Sequence, residues 1–299
     1  VQFPKKLFRL FFVSAFAFLL IGCGDSTPSG TGPTTQTATQ PAAVRPRVVS
    51  LSPAVTDLIV AMGGGDRLVG ISTFDVDPGV SSLPRVGDYE NANWEKIAEL
   101  RPTVMIVQGS PDRIPAATRT RAKQLDASLY VARIETVADV MSEATLIGEQ
   151  IGLPKEGEAL LKKLRGELDD LRRDNADKPR VRTLIVTSSE GTGVAGPNTY
   201  LNDLLDYAGG LNAVPQDRPG YSEVDRELIL KFNPDVVIQL LPAATPAQLD
   251  QAKAFWQSMP ELSATKSGRI VQITEPWALM PCSRVADLAK KFEAAIHAK

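Results

Sequence analysis

Histidine is almost absent from this chain: His297, two places from the last residue, is the only one among 299. Proteins that capture bare zinc or manganese use several histidines and carboxylates, so direct metal capture has no ligand set here. Ser-His and Cys-His catalysis loses its base for the same reason. Carboxylate pairs are the one common catalytic device that the composition leaves open, and the expectation is a protein that is not an enzyme and carries no cofactor or metal of its own. A histidine so near the end is expected at the solvent-exposed surface. Excess charge of either sign is missing too. The 33 basic and 35 acidic residues leave a net charge of −2, which gives no basis for nucleic-acid binding or for a basic membrane-binding face. Cysteine is limited to Cys23 and Cys282; Cys282, preceded by Pro281, reads as a half-buried free thiol.

Long apolar runs are also lacking. The stretch from Leu10 to Ile21 is short for a bilayer span and follows the basic residues Lys5, Lys6 and Arg9. That arrangement predicts a secretory signal peptide over residues 1–22. Leu20-Ile21-Gly22-Cys23 resembles the lipobox of bacterial lipoproteins; the alternative is an ordinary signal peptide with a chance cysteine. The resemblance implies cleavage before Cys23 and a lipid on its thiol, hence anchoring at the periplasmic or extracellular face of a membrane; a monomer is expected. With Cys23 so used, no intramolecular disulfide remains and the cores must carry stability. The stretch that follows, rich in Ser, Thr, Gly, Pro and Gln, completes a segment 23–45 that reads as a disordered tether.

Beyond the tether, strands and helices alternate. "RVVSL", "LVGIS", "TVMIV" and "SLYVA" read as buried strands, and Ser52-Pro53 as the N-cap and first residue of a helix. Val55, Leu58, Ile59 and Met62 share one face of that helix, which stops at Gly63-Gly64-Gly65. Residues 46–136 therefore form an α/β lobe with a mostly parallel sheet. From Val137 to about Asn175 only helical pattern remains, broken near Gly152-Leu153-Pro154, and Leu160, Leu161, Leu164, Leu168 and Leu171 mark an amphipathic strut. We assign 137–178 to this connecting region and 179–299 to a second α/β lobe, in which "RTLIVTS" and "GRIVQIT" are strands.

The second lobe repeats the first. Leu201, Leu204, Leu205 and Ala208 follow Val55, Leu58, Ile59 and Met62 at a constant offset of 146 residues, again before a Gly-Gly stop. "NWEKIAELRPTVMIV" and "DRELILKFNPDVVIQ" form a second matched pair: a capping residue, a glutamate two places on (Glu95, Glu227), an apolar helix, a proline and a strand. A first-turn glutamate is favoured by the helix dipole anyway, by about 0.3–1 kcal/mol. Equivalent positions in two repeats argue for a shared task.

The motifs "RVVSLSPAVTDLIVAMGGGDRLVGIS", "LPRVGDYENANWEKIAELRPTVMIV" and "YSEVDRELILKFNPDVVIQL" together resemble the periplasmic substrate-binding proteins of the cobalamin and ferric-siderophore ABC importers, from Arg47 to the C-terminus. The resemblance implies two lobes joined by one long rigid helix, a ligand cleft between them, and modest closure. It implies that Glu95 and Glu227 dock on arginine clusters of the permease dimer. Charge pairs across an interface mainly steer and orient, though close ones contribute on the order of 1.5–7 kcal/mol. It implies a small-molecule metal chelate as the ligand, flanked by Tyr89 and Tyr221, each six residues before a glutamate. Phe74 falls on a cleft tyrosine of the cobalamin binder, and Asp75 beside it reads as an exposed or turn residue. Gln108 lies at a strand's carboxyl end, and Trp277 is expected near the cleft. "SSEGTGVAGPNTY" reads as a long glycine-rich loop. Trp94 and Trp256 are expected to pack helices on their sheets. Pro276 and Met280 stand where the cobalamin binder has an aspartate and an arginine, and Gln108 where an aromatic is expected. Cobalamin or another corrinoid leads as ligand; haem and a ferric siderophore are the alternatives, and a ligand-sensing lipoprotein or an anchored enzyme are those of another class.

Overall fold

Two sheets with the same strand order organise the computed structural model, which describes residues 45–298. The expected signal peptide, Cys23 and all of the tether but Arg45 lie outside the described residues. The first lobe runs β1 (Val48–Ser50), α1 (Pro53–Ala61), β2 (Leu68–Gly70), α2 (Trp94–Leu100), β3 (Val104–Gln108), α3 (Ala116–Gln124) and β4 (Ser128–Ala132). Its sheet is parallel throughout, in the order β2-β1-β3-β4. Two helices follow, α4 (Val137–Gln150) and α5 (Pro154–Asn175), separated at the break expected near Gly152. The second lobe comprises β5 (Val181–Val186), β6 (Gly193–Ala195), α6 (Tyr200–Tyr207), β7 (Gly210–Asn212), β8 (Tyr221–Glu223), α7 (Arg226–Phe232), β9 (Val236–Leu240), α8 (Pro246–Gln257), α9 (Ser263–Lys266), β10 (Ile270–Ile273) and α10 (Val285–His297).

In the second sheet β7, β5, β9 and β10 are parallel neighbours, which reproduces the order of the first sheet strand for strand. The difference is an insertion: β6 and β8 join the sheet antiparallel. The glycine-rich segment expected to be a loop thus contributes β6. Three-residue strands of this kind owe their existence to a pairing partner more than to local composition.

The helix faces read from the sequence are the buried ones. Val55, Leu58 and Ile59 are fully buried, as are Leu201, Leu204 and Ala208. Leu160, Leu164, Leu168 and Leu171 of α5 belong to one apolar cluster that also holds α1 and α6 residues, so the core is continuous through both lobes. The strut is a pair of helices in close contact. A Cβ on Gly157 of α5 would lie 2.5 Å from the Ala144 carbonyl oxygen of α4, so the crossing requires glycine. Among the described residues, no helix is long and apolar enough to cross a membrane.

Ser52 occupies the N-cap position of α1 but does not cap it with its side chain. Its hydroxyl donates instead to Gln108 Oε1 at 2.7 Å, tying the ends of β1 and β3 together. Trp256 is fully buried on the second sheet, as expected, and Trp94 packs half-buried on the first.

Candidate functional site

A parallel sheet in this order sends the chain from β1 outward to β2 on one side and back to β3 on the other. The carboxyl ends of β1 and β3 are therefore the switch point at which an open α/β sheet leaves a crevice. A cavity of about 680 Å³ lies there, lined by Ser52 and Pro53 after β1, Gln108 at the end of β3, Ile134 after β4, and by Phe74 and Tyr89. The structure thus brings three of the five expected ligand residues to one wall.

That wall is braced before any ligand arrives. Arg85 donates to the carbonyl oxygens of Ser72, Thr73 and Asp75 at 3.2, 3.0 and 3.0 Å, which fixes the loop carrying Phe74. The Phe74 ring is 64% exposed, an apolar face held in water. Tyr89 sits in a loop tied by Asp88, whose Oδ1 accepts from the amides of Glu90 and Asn91, both at 2.8 Å. Gly87 makes that loop feasible: its φ is +93° and a Cβ would meet the Asn91 carbonyl oxygen at 2.1 Å. The Tyr89 hydroxyl donates to Glu90 at 3.0 Å, a bond that raises the pKa of the phenol. Gln108 accepts from Ser52 and reaches the Ile134 carbonyl at 3.5 Å; it is a brace with one amide hydrogen left over. Glu143 on α4, buried and raised in pKa by that burial, accepts the Arg133 amide at 2.9 Å and so positions the loop after β4.

Tyr221 stands apart from this wall, on β8 of the other lobe, with 56% of its surface exposed. Burial around its hydroxyl, with the Asp203 charge adding to it, pushes the phenol up to about 12. Asp203 in turn accepts the amide of Val137 at 3.1 Å, two residues beyond the cavity-lining Glu135. Trp277 lines a neighbouring cavity of about 150 Å³ together with Pro53, Asp57, Asp75, Met280 and Arg284. Pro53 borders both spaces. The Arg284 guanidinium lies 5.6 Å from the Trp277 ring centre, within cation–π reach.

Three residues differ from their expected settings. Asp75 is not exposed: it is 5% accessible, one carboxylate oxygen is sealed without a hydrogen-bond partner, and burial pushes its pKa up to about 6. Cys282 is wholly rather than half buried, which pushes its thiol well above the ordinary range. His297 is not a surface residue: it ends α10 half-buried, its Nε2 sealed from solvent against Gly209. Tyr200, which the sequence did not mark beyond its helix, has a buried hydroxyl without a partner and feels the Tyr221 and Cys282 groups. Its only sequence signal is its place directly after the capping Thr199.

The two glutamate units coincide in detail. Asn93 caps α2 by accepting the Lys96 amide at 3.0 Å, and Asp225 caps α7 by accepting that of Leu228 at 2.8 Å. Both helices have seven residues and end in a left-handed residue, Arg101 (φ 45°) and Asn233 (φ 39°). Ile97 and Ile229 are each fully buried. Glu95 and Glu227 are exposed at the second helical position, and neither has an ion-pair partner among the described residues.

A family model described as "Periplasmic binding protein" matches residues 48–276. The uncharacterized ABC transporter substrate-binding lipoprotein YvrC of Bacillus subtilis is 27% identical over 236 residues, which cover 76% of this chain and 72% of that protein. A vitamin B12-binding protein of Vibrio cholerae is 26% identical over 248 residues, covering 82% of this chain and 87% of the relative. The solved periplasmic heme-binding protein HutB of Vibrio cholerae has a TM-score of 0.72 and 21% identity, covering 84% of this chain and 98% of that one. At that identity the likeness speaks to the fold alone.

Proposed function

The chain belongs to the periplasmic binding protein family, and from that premise we propose that it is the extracytoplasmic binding lipoprotein of an ABC importer. It captures a corrinoid, with cobalamin as the leading ligand, and hands it to a permease dimer. It performs no chemistry: it binds, closes slightly and releases.

The observation that carries the importer reading is the pair of capped helices that present Glu95 and Glu227. Two unpaired carboxylates on equivalent rigid helices suit a partner that itself has two-fold symmetry, because close charge pairs across an interface set register. Support for a corrinoid comes from the aromatic faces of Phe74, Tyr89 and Tyr221, which suit a large flat ring with polar edges. The vitamin B12-binding relative points the same way. A second reading, haem or a ferric siderophore, draws on Arg113, which lines the cavity and has no ion-pair partner among the described residues. A free guanidinium is matched to ligand carboxylates.

Titration with cyanocobalamin, followed by tryptophan fluorescence with hemin in parallel, tests the ligand. Saturable quenching by cyanocobalamin at micromolar concentration or below is expected. Quenching by hemin alone moves the ligand to the second reading, and two flat traces refute both. The docking claim is tested separately: Glu95→Ala with Glu227→Ala lowers uptake while ligand binding persists, and undiminished uptake refutes it.

A further inference from the structure

The internal repeat contains one more matched pair, and this one faces inward. Asp57 on α1 and Asp203 on α6 stand 146 residues apart, the offset that relates the two helices. Each reaches out of its own lobe. Asp57 Oδ1 accepts the amide of Ser283, just ahead of α10, at 2.8 Å. Asp203 Oδ2 accepts the amide of Val137, the first residue of α4, at 3.1 Å. The two recipient helices are themselves equivalent, since each follows the fourth parallel strand of its lobe. Asp57 of the first lobe thus holds the approach to α10 in the second, and Asp203 of the second lobe holds the start of α4, the helix that leaves the first.

Val137 opens α4, and an amide at a helix start lacks an intrahelical acceptor and carries partial positive charge; Ser283 stands one place ahead of Arg284, the N-cap of α10. A carboxylate there makes a charge-assisted bond, stronger than a neutral one. Both carboxylates are sheltered enough for that strength to count: Asp57 is 5% exposed and Asp203 half-buried. Asp57 is further held by Arg284, whose Nε lies 3.4 Å away and whose Nη2 reaches Asp77 at 3.8 Å. Beside the Asp203 bond, the Tyr200 amide donates to the Glu135 carbonyl at 3.1 Å, a third link between lobes. These links flank the cavities. Asp57 lines the smaller one, and Val137 follows the Ile134–Glu135 edge of the larger.

We propose that Asp57 and Asp203 are a pair of positioning residues that fixes the angle between the lobes and thereby the width of the cleft. The structural half of this claim stands on its own; its ligand readout rests on the binding function proposed above. With α5 as a strut, opening the cleft must break at least one of the two bonds. Neither residue has to touch the ligand to govern how long the ligand stays.

The test measures lobe separation without ligand. Spin labels on Lys123→Cys in α3 and Lys253→Cys in α8, both exposed positions, report the distance in full-length protein that also carries Cys23→Ser. A narrow distribution is expected with both aspartates present, and a broader one shifted to longer distance with Asp57→Ala and Asp203→Ala combined. Asp57→Asn retains an acceptor oxygen and should restore most of the narrow distribution. Cyanocobalamin dissociation should quicken on the order of tenfold in the double alanine variant, the change expected from losing one charge-assisted hydrogen bond. Should the double variant not fold, Asp203→Ala alone, at the less buried site, must still broaden the distribution. If the alanine variants speed hydrogen exchange at Val137 and Ser283 but leave the distance unchanged, the aspartates are local helix stops and the proposal falls. If cyanocobalamin does not bind the parent protein, the ligand assignment fails while the distance measurement still decides this inference.

Discussion

Asp75→Asn is the substitution whose effect follows most directly from the structure. Asp75 is 5% exposed and one carboxylate oxygen has neither solvent nor a hydrogen-bond donor. Burial raises the carboxyl from 3.8 to about 6, the like charge of Asp77 adding to it and Thr56 and Arg85 opposing it. Between those two values the folded protein keeps a proton that the unfolded chain has already released. For this group, stability is therefore greatest below pH 3.8, declines as pH rises toward 6, and stays reduced above it. A gap of about two pH units corresponds to roughly 3 kcal/mol. That is an upper limit for the asparagine variant, which forfeits what the carboxylate gains from Thr56. At roughly 2–4 °C per kcal/mol for a chain of this size, the midpoint moves several degrees. Thermal unfolding of both proteins by circular dichroism from pH 4 to 8 measures it, since every other titrating group cancels in the difference. The variant should match the parent at pH 4 and exceed it by roughly 5–10 °C at pH 8. A constant gap across that range, or a less stable variant at pH 8, would refute the reasoning.

Three further substitutions probe the packing of the second lobe and of the strut. Trp256 is fully buried and donates to Gln239 Oε1 at 2.9 Å, while Gln239 Nε2 donates to the Ser188 carbonyl in the loop after β5 at 2.8 Å. Trp256→Phe strands that amide oxygen and should cost about 1–3 kcal/mol, read as a lower urea midpoint with an unchanged m value; an unchanged midpoint would show that the network is not load-sharing. Gly157→Ala places a methyl 2.5 Å from the Ala144 carbonyl, and overpacking of about 1–3 kcal/mol should outweigh the roughly 1 kcal/mol helix gain. Gly166→Ala on the same helix meets nothing within 4 Å, so it should stabilise; two stabilised variants would mean that α4 and α5 are not in close contact.

Much of the fold was legible in the sequence because it is carried by short-range pattern. The four-residue faces of α1 and α6, the capped starts of α2 and α7, and the whole of β4 are set by residues within a turn or two of one another. What escaped depends on distant partners. Asp75 reads as a surface residue until Arg85, ten places on, is seen gripping the backbone of its loop. The Ser52 hydroxyl reads as a helix cap until it is seen on Gln108, 56 residues away. β6 and β8 are three residues each and exist because β6 pairs with β5 and β8 with β6. At the site, Tyr89 and Tyr221 could be picked by their place in the repeat and Phe74 from the resemblance, but whether Tyr221 and Trp277 join the wall made by Phe74 and Tyr89 is decided by the angle between lobes, to which no local pattern refers.

Duplication has left the molecule symmetric in some places and not in others, and the division follows what each surface must meet. Glu95 with Glu227, and Asp57 with Asp203, remain equivalent in position, though Asp57 adds an ion pair with Arg284 to its amide bond. The first pair stays exposed on equivalent helices, and the second lies where the lobes meet each other. The cleft walls have diverged. One sheet offers Phe74, Tyr89 and the braced Gln108, whereas the other has gained β6 and β8 and carries Tyr221 on the added edge. A corrinoid or any other asymmetric chelate presents different groups to its two sides, so identical walls would leave polar groups unmatched on at least one of them. The core runs unbroken through α1, α5 and α6. A ligand entering the cleft would then meet walls that already differ in shape.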